Sequence, residues 1–390
     1  MKNLSLTCAC VAVLEAIAAG PSQAQSTEEA PGPVLTWHVG AGVAHDSNIL
    51  RAVTAVSDDI GILTAGVQVD KRYSLQRLTL QAQAHRYQFR DFSNLDYSTL
   101  TYAGAWHFQF TPLLRGVLSA DRRQNRDITN VTVASDGLFL RTDRQEQAEV
   151  TLLGRGGWRT LAGLTHTRSR SDDPRSLEAS PTVSSVHVGG GYEFPSGTQL
   201  TARMRRGDGD YGGASSAIGF RETEPSVSIT WPLTVKSRLD ARIGYLDREQ
   251  HAQPARDFEG FVSQASARWE YSPRTALTVG WARDLGSYEL GSGGRIRSGR
   301  LFLEPSWKPS EKIALTLRHT RESRHWQTVS LTAPDWGRED RTRGNAITLE
   351  WMPRRLLSVT LTASQERRRS NLPALDYRAN VLRLDARLNF

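Results

Sequence analysis

The chain has 390 residues, a formal net charge of +8, 38% hydrophobic residues and a mean hydropathy of −0.45. After residue 24 no stretch approaches the roughly 18 consecutive apolar residues that a spanning helix requires, so a helical membrane protein is excluded. The two cysteines, Cys8 and Cys10, both precede residue 24, which excludes a disulfide framework or a thiolate metal site from the remainder.

Residues 1–24 read as a secretory signal peptide. Lys2 precedes a largely apolar stretch from Leu4 to Ala19, interrupted by Glu15, and Ser22-Gln23-Ala24 offers a small-x-small cleavage site. Cys8 and Cys10 lack a convincing lipobox. Residues 25–33, polar with two prolines and two acids, form a predicted disordered tether. Residues 34–390 are then the folded part of an exported chain.

From residue 34 the dominant signal is alternation with period two. Leu239, Ala241, Ile243 and Tyr245 alternate with Arg238, Asp240, Arg242 and Gly244, and Leu357, Val359 and Leu361 alternate with Ser358, Thr360 and Thr362. A helix would smear such sequences around its circumference, whereas a strand sorts them into an apolar and a polar face. Candidate strands fall near 34–44, 60–70, 75–90, 97–110, 115–124, 141–153, 157–169, 183–194 and 199–206. The series continues near 219–231, 237–249, 258–271, 275–285, 299–308, 312–324, 341–352, 356–368 and 377–390. The alternation is weakest from Arg115 to Arg170, so the expected count is about 18 with a range of 16 to 20.

An aromatic followed by a proline turn recurs as Phe110-Thr111-Pro112, Phe194-Pro195, Trp231-Pro232, Tyr271-Ser272-Pro273, Trp307-Lys308-Pro309 and Trp351-Met352-Pro353. Proline cannot donate to a sheet ladder and presets a turn, so each is expected to end a strand at one fixed height. Short turns at Pro195 to Thr198, Ser272 to Thr275 and Pro353 to Arg355 define one rim. Longer segments at Asn125 to Leu140, Gly207 to Gly219, Gly286 to Ser298 and Ser323 to Asp340 define the other. Leu382, Leu384, Ala386, Leu388 and Phe390 alternate to a C-terminal aromatic, as in the last strand of outer-membrane barrels that assembly machinery recognises. The fold class is therefore all-β: a transmembrane antiparallel up-and-down barrel in the outer membrane of a Gram-negative bacterium.

Arginine supplies nearly all the positive charge, since lysine occurs only at 2, 71, 236, 308 and 312. A genome that favours arginine codons and an arginine-lined interior both account for this. Candidate lumen contacts are Arg203, Arg205, Arg238, Asp240, Arg242, Arg268, Arg318, Arg383, Asp385 and Arg387. They suit either mutual bracing across strands or selection of a passing solute. Arginines interleaved with acids along the whole chain do not make a nucleic-acid patch.

No HExxH, His/Cys cluster or GxSxG is present, and the clusters at Gly154, Gly156, Gly157 and Gly189–Gly191 lack the order of a phosphate cradle. No catalytic residue, cofactor or metal site is expected. His319 and His325 are expected at an exposed rim and His107 in the lumen.

The segment Asp46-Ser47-Asn48-Ile49-Leu50-Arg51 resembles the Asp-x-Asn-x-x-Arg segment of EpsL-type outer-membrane proteins, a β-barrel porin class that accompanies exosortase-linked exopolysaccharide clusters. Further likenesses are Arg203 to Tyr211, Arg256 to Gly260, Trp281 to Asp284 and Arg368 to Arg378, each expected at a strand end or loop. The resemblance implies a barrel that serves exopolysaccharide biosynthesis or export as conduit or accessory. Its implied partners are exopolysaccharide, outer-membrane lipid, the barrel-assembly machinery through Phe390, and periplasmic polysaccharide-export components. The alternative is a general or anion-preferring porin for small solutes, and the third reading is an outer-membrane hydrolase.

Overall fold

The computed structural model describes residues 34–126, 139–172, 181–211, 219–251, 254, 257–287, 294–328 and 336–390. The signal peptide and tether expected over residues 1–33 lie outside them, as does Arg256. Among the described residues the chain forms a single 18-stranded sheet. The first nine strands are β1 (Leu35–Asp46), β2 (Asp58–Tyr73), β3 (Gln76–Phe89), β4 (Tyr97–Gln109), β5 (Leu114–Arg126), β6 (Leu140–Leu153), β7 (Trp158–Ser171), β8 (Pro181–Glu193) and β9 (Gln199–Tyr211). The rest are β10 (Gly219–Thr234), β11 (Ser237–Gln250), β12 (Phe258–Ser272), β13 (Thr275–Ser287), β14 (Gly294–Ser310), β15 (Ile313–Thr328), β16 (Glu339–Arg354), β17 (Leu357–Ser370) and β18 (Tyr377–Asn389).

Each strand pairs antiparallel with its neighbours in sequence, and β1 pairs with β18 from His38↔Asn389 to Asp46↔Val381, which closes the barrel. Closure leaves no unpaired edge, the condition for a sheet to sit in lipid. On β1 the outward residues Trp37, Val39 and Val43 are exposed, while the inward His38, Ala44 and Asp46 are buried. The same apolar-out pattern puts Leu382, Leu384, Leu388 and Phe390 outside on β18 and its following residue.

The weakly alternating stretch Arg115 to Arg170 forms three regular strands, β5 to β7. Its pattern is blurred because the outward positions near the loop end carry arginine: Arg122 opposes Arg144, and Arg144 opposes Arg168. Two expectations need correction. The outer connections are shorter than read, because Gly207 to Tyr211, Gly294 to Ser298 and Ser323 to Thr328 continue as strand beyond the apolar band. For the same reason Trp281 to Asp284 lies within β13 rather than at a strand end or loop.

The prolines also behave differently from expectation. Pro232, Pro309 and Pro353 do not end their strands but sit in the last three residues, beside a one-residue register shift. A fourth shift falls between Glu270 and Ser272, just before Pro273. Lacking an N–H, proline fits a bulge where one ladder bond is already lost. Hairpins β10–β11, β12–β13, β14–β15 and β16–β17 thus repeat one device next to a lipid-facing aromatic.

A second repeated device shapes the outer rim. An aspartate before an inward aromatic accepts a backbone N–H from the preceding strand: Phe89 N to Asp96 Oδ1 at 2.8 Å, Gln250 N to Asp257 Oδ1 at 2.6 Å and Ser370 N to Asp376 Oδ1 at 2.7 Å. The aromatic that follows is covered by the residue directly opposite. Tyr87 stacks on Tyr97 with centroids 4.5 Å apart, and Arg248 and Arg368 lie 5.1 and 4.6 Å over Phe258 and Tyr377. Carboxylate and aromatic together tie the start of one strand to the end of the strand before it and set a rigid stack at the outer mouth of the barrel.

Candidate functional site: the lumen wall

The inner wall is polar along its height. His38, Gln83, Thr99, Ser185, His187, Thr201, Glu222, Glu224 and Gln264 are buried there. The apolar clusters of the described residues are small and lie toward the outer mouth, around Ile49, Phe89 and Leu95 and around Leu246, Phe258 and Leu285. A barrel of 16 to 18 strands is too wide for side chains to fill and leaves room for water.

A network of charges stands on β9 to β11. Glu224 is directly opposite Arg205, and Glu222 is directly opposite Arg248. Arg205 donates to Glu222 Oε2 at 2.8 Å and to Glu224 Oε2 at 3.1 and 2.8 Å. Arg242 donates to the other oxygen of Glu224. Arg248 donates to Glu222 Oε1 from Nε at 2.8 Å and to the Tyr211 hydroxyl at 3.2 Å. Three guanidinium groups therefore share two carboxylates, and planar, bidentate bonding lets them do so. Gly244 makes the space: a Cβ there would stand 2.7 Å from Glu224 Oε1.

The residues singled out from sequence all lie on strand positions of the inner face, but not in one cluster. Arg203 donates to Glu149 Oε2 at 2.9 Å, and His187 Nε2 lies 3.0 Å from the same oxygen. Arg238 grips Asp240 with two bonds at 2.8 and 3.0 Å, and Asp240 also accepts from Thr230. Arg268 pairs with Glu270 at 3.1 Å toward the turn end, and Arg318 with Glu304 at 3.4 Å. On β18, Arg383 grips Asp385 at 2.6 and 2.7 Å, while Arg387 is set opposite Ser358 and Gly40. Most of these arginines are thus matched by an acid on their own or a neighbouring strand.

Sequence reading missed Glu149, Glu222, Glu224 and Arg248. The signal was present in Arg221-Glu222-Thr223-Glu224, where acids at i and i+2 share a strand face. Of their partners, Arg205 lies across the β9–β10 hairpin and Arg242 and Arg248 lie on β11.

The motif at Asp46 to Arg51 is a structural clasp. Arg51 donates to both oxygens of Asp46 at 2.9 and 2.8 Å, and Asp46 also accepts the Asn48 N–H at 2.9 Å. The Asn48 amide donates to the Ala52 and Arg378 carbonyls at 2.8 and 3.1 Å. Ser47 and Asn380 exchange bonds across the β1–β18 seam. Arg51 itself adopts φ of 52°, a left-handed conformation that these bonds hold. The result is that Ile49, 0% exposed, is driven against Phe89 and Leu95, so the first outer loop folds into the mouth while locking the barrel seam. His107 is half-buried on the inner side, and His319 faces outward with Nδ1 2.8 Å from Asn345 Oδ1.

Residues 228–390 match the family model described as "Putative beta-barrel porin 2", a span from the middle of β10 to the C-terminus. No curated protein matches the sequence. Among solved structures the chain is similar to OccK9 (OpdG) of Pseudomonas aeruginosa, with 13% identity, 91% of this chain and 98% of that chain covered, and a TM-score of 0.50. OccK1 (OpdK) of the same organism aligns at 11% identity over 91% of this chain and 99% of that chain, with a TM-score of 0.49. At 13% identity the likeness to OccK9 is one of fold. The closed antiparallel barrel, its apolar outer band and the match of its C-terminal strands give this chain the architecture of an outer-membrane β-barrel of the porin type.

Proposed function

We propose that the protein is a water-filled outer-membrane channel for small hydrophilic solutes, with only a weak preference for anions. The observation that carries this reading is the polar, largely charge-balanced inner wall of an 18-stranded closed barrel. Guanidinium groups already bonded to carboxylates leave little net field for selecting ions, in contrast to a ring of unmatched charge. The porin family match over residues 228–390 supports the same reading. Planar-bilayer recording of the folded barrel tests it: stepwise open conductance with an anion-to-cation permeability ratio only slightly above unity is the expected result. A barrel that does not conduct would overturn it.

The ordered motifs shared with EpsL-type proteins favour a second reading, in which the cargo or partner is exopolysaccharide and the inner arginines and acids contact it. Surface polymer in a deletion strain separates the two. Unchanged polymer under inducing conditions removes the second reading and leaves the first intact.

A further inference from the structure

The arginines that the lumen does not use gather on the outside of the barrel. On β15 to β18 the outward positions form layers. Leu317, Ile347, Ala363 and Leu382 oppose one another across the four strands. The next layer toward the outer rim is His319, Asn345, Gln365 and Asn380, tied in pairs at 2.8 and 2.9 Å. Above it Arg321 opposes Arg343, Arg343 opposes Arg367 and Arg367 opposes Arg378. One step higher Arg341 opposes Arg369.

All six arginines are exposed, and none makes an ion pair among the described residues. The outward carboxylate on this wall, Glu339, is engaged instead with His325 at 3.3 Å. Like charges directly opposite one another on neighbouring strands are destabilising, so an arginine row four strands wide calls for an external anion. Height identifies the anion. Arg343 is eight residues up β16 from the turn-end aromatic Trp351, a rise of ~20 Å for a strand tilted by about 40°. Arg378 is twelve residues above Phe390, or ~30 Å by the same geometry. An apolar band about 25 Å tall therefore ends within this cluster, at the level of lipid headgroups.

We propose that the outward face of β15–β18 is a binding site for the phosphorylated headgroup of an outer-leaflet glycolipid. Phosphate oxygens accept planar, bidentate bonds from guanidinium, and the row is long enough to engage two phosphates on one disaccharide headgroup. The acyl chains would then descend over the Leu317 to Leu382 layer. The site rests on the barrel's lying in an outer membrane. Separation of inner and outer membranes by density tests that premise separately.

The test is native mass spectrometry of the detergent-purified full-length barrel loaded with bisphosphorylated lipid A, with dephosphorylated lipid A, or with bisphosphorylated lipid A plus excess inorganic phosphate. The wild-type protein should retain at least one more copy of the bisphosphorylated lipid than the R321Q/R343Q/R367Q/R378Q variant. Retention should be lost with the dephosphorylated lipid and withstand inorganic phosphate. Equal retention by wild type and variant overturns the proposal. So does equal retention of the dephosphorylated lipid, which would reflect acyl packing alone, or displacement by inorganic phosphate, which would mark a site for free anions. The lipid comparison on the wild-type protein stands even if the variant does not fold.

Discussion

Arginine does opposite work on the two faces of this wall. Inside, on β9 to β11, three guanidinium groups are held by Glu222 and Glu224, and Arg203, Arg238, Arg318 and Arg383 each have an acid within reach. Outside, on β15 to β18, the row through Arg321, Arg343, Arg367 and Arg378 has no carboxylate partner among the described residues. The inner charges are neutralised by the protein and brace it. The outer ones are left for something else to neutralise. A positive composition therefore says little about the channel's own field, because the excess lies on the wrong side of the sheet.

The comparison breaks first at the inner network. Replacing both acids, E222Q/E224Q, leaves the partly buried Arg205, Arg242 and Arg248 without counter-charge and should cost ~3–5 kcal/mol. Urea unfolding of the heat-modifiable band reads this, and an unchanged midpoint would mean the network braces nothing. The same variant should move the reversal potential toward anions. A smaller effect is expected from Asp46→Ala, which removes the clasp on Arg51 and the Asn48 N–H. The loss should be ~1–3 kcal/mol, with a larger or noisier open conductance as Ile49 leaves the mouth.

On the outer face the sign should differ. In a detergent without charged lipid, R321Q/R343Q/R367Q/R378Q relieves repulsion, so its urea midpoint should equal or exceed that of the wild type. A marked fall would show that these arginines are braced from within after all. The smallest change is expected at the turn end. Pro353→Ala restores an N–H at a bulge with no ladder partner to lose, and should shift stability by no more than about 0.5 kcal/mol. A large loss there would mean that proline itself, and not the bulge, sets the rim.

The strands were legible in the sequence, within a count of 16 to 20, because lipid on one side and water on the other impose a period of two, and aromatic-proline turns mark where six of the hairpins reverse. Strand ends were read short at the outer rim, since β9, β14 and β15 run past the membrane, where both faces are polar and the alternation vanishes. The arginines of the lumen were legible as residues, and Arg238 with Asp240 and Arg383 with Asp385 as charges sharing a strand face, but the partners across strands were not. Glu222 meets Arg205 and Arg248 only once the register of β9, β10 and β11 is known. The outer arginine row was hidden for the same reason: Arg321, Arg343, Arg367 and Arg378 lie on four strands and become neighbours only across the ladder. Sequence patterning reports which face a residue takes, and register decides what it meets there.

The central claim is an open, nearly charge-balanced pore. Single-channel recording of the refolded wild-type barrel across a salt gradient tests it directly. The account predicts discrete open steps and a reversal potential displaced only slightly toward anions. A sealed barrel, a cation-selective one, or one with strong anion selectivity would contradict it.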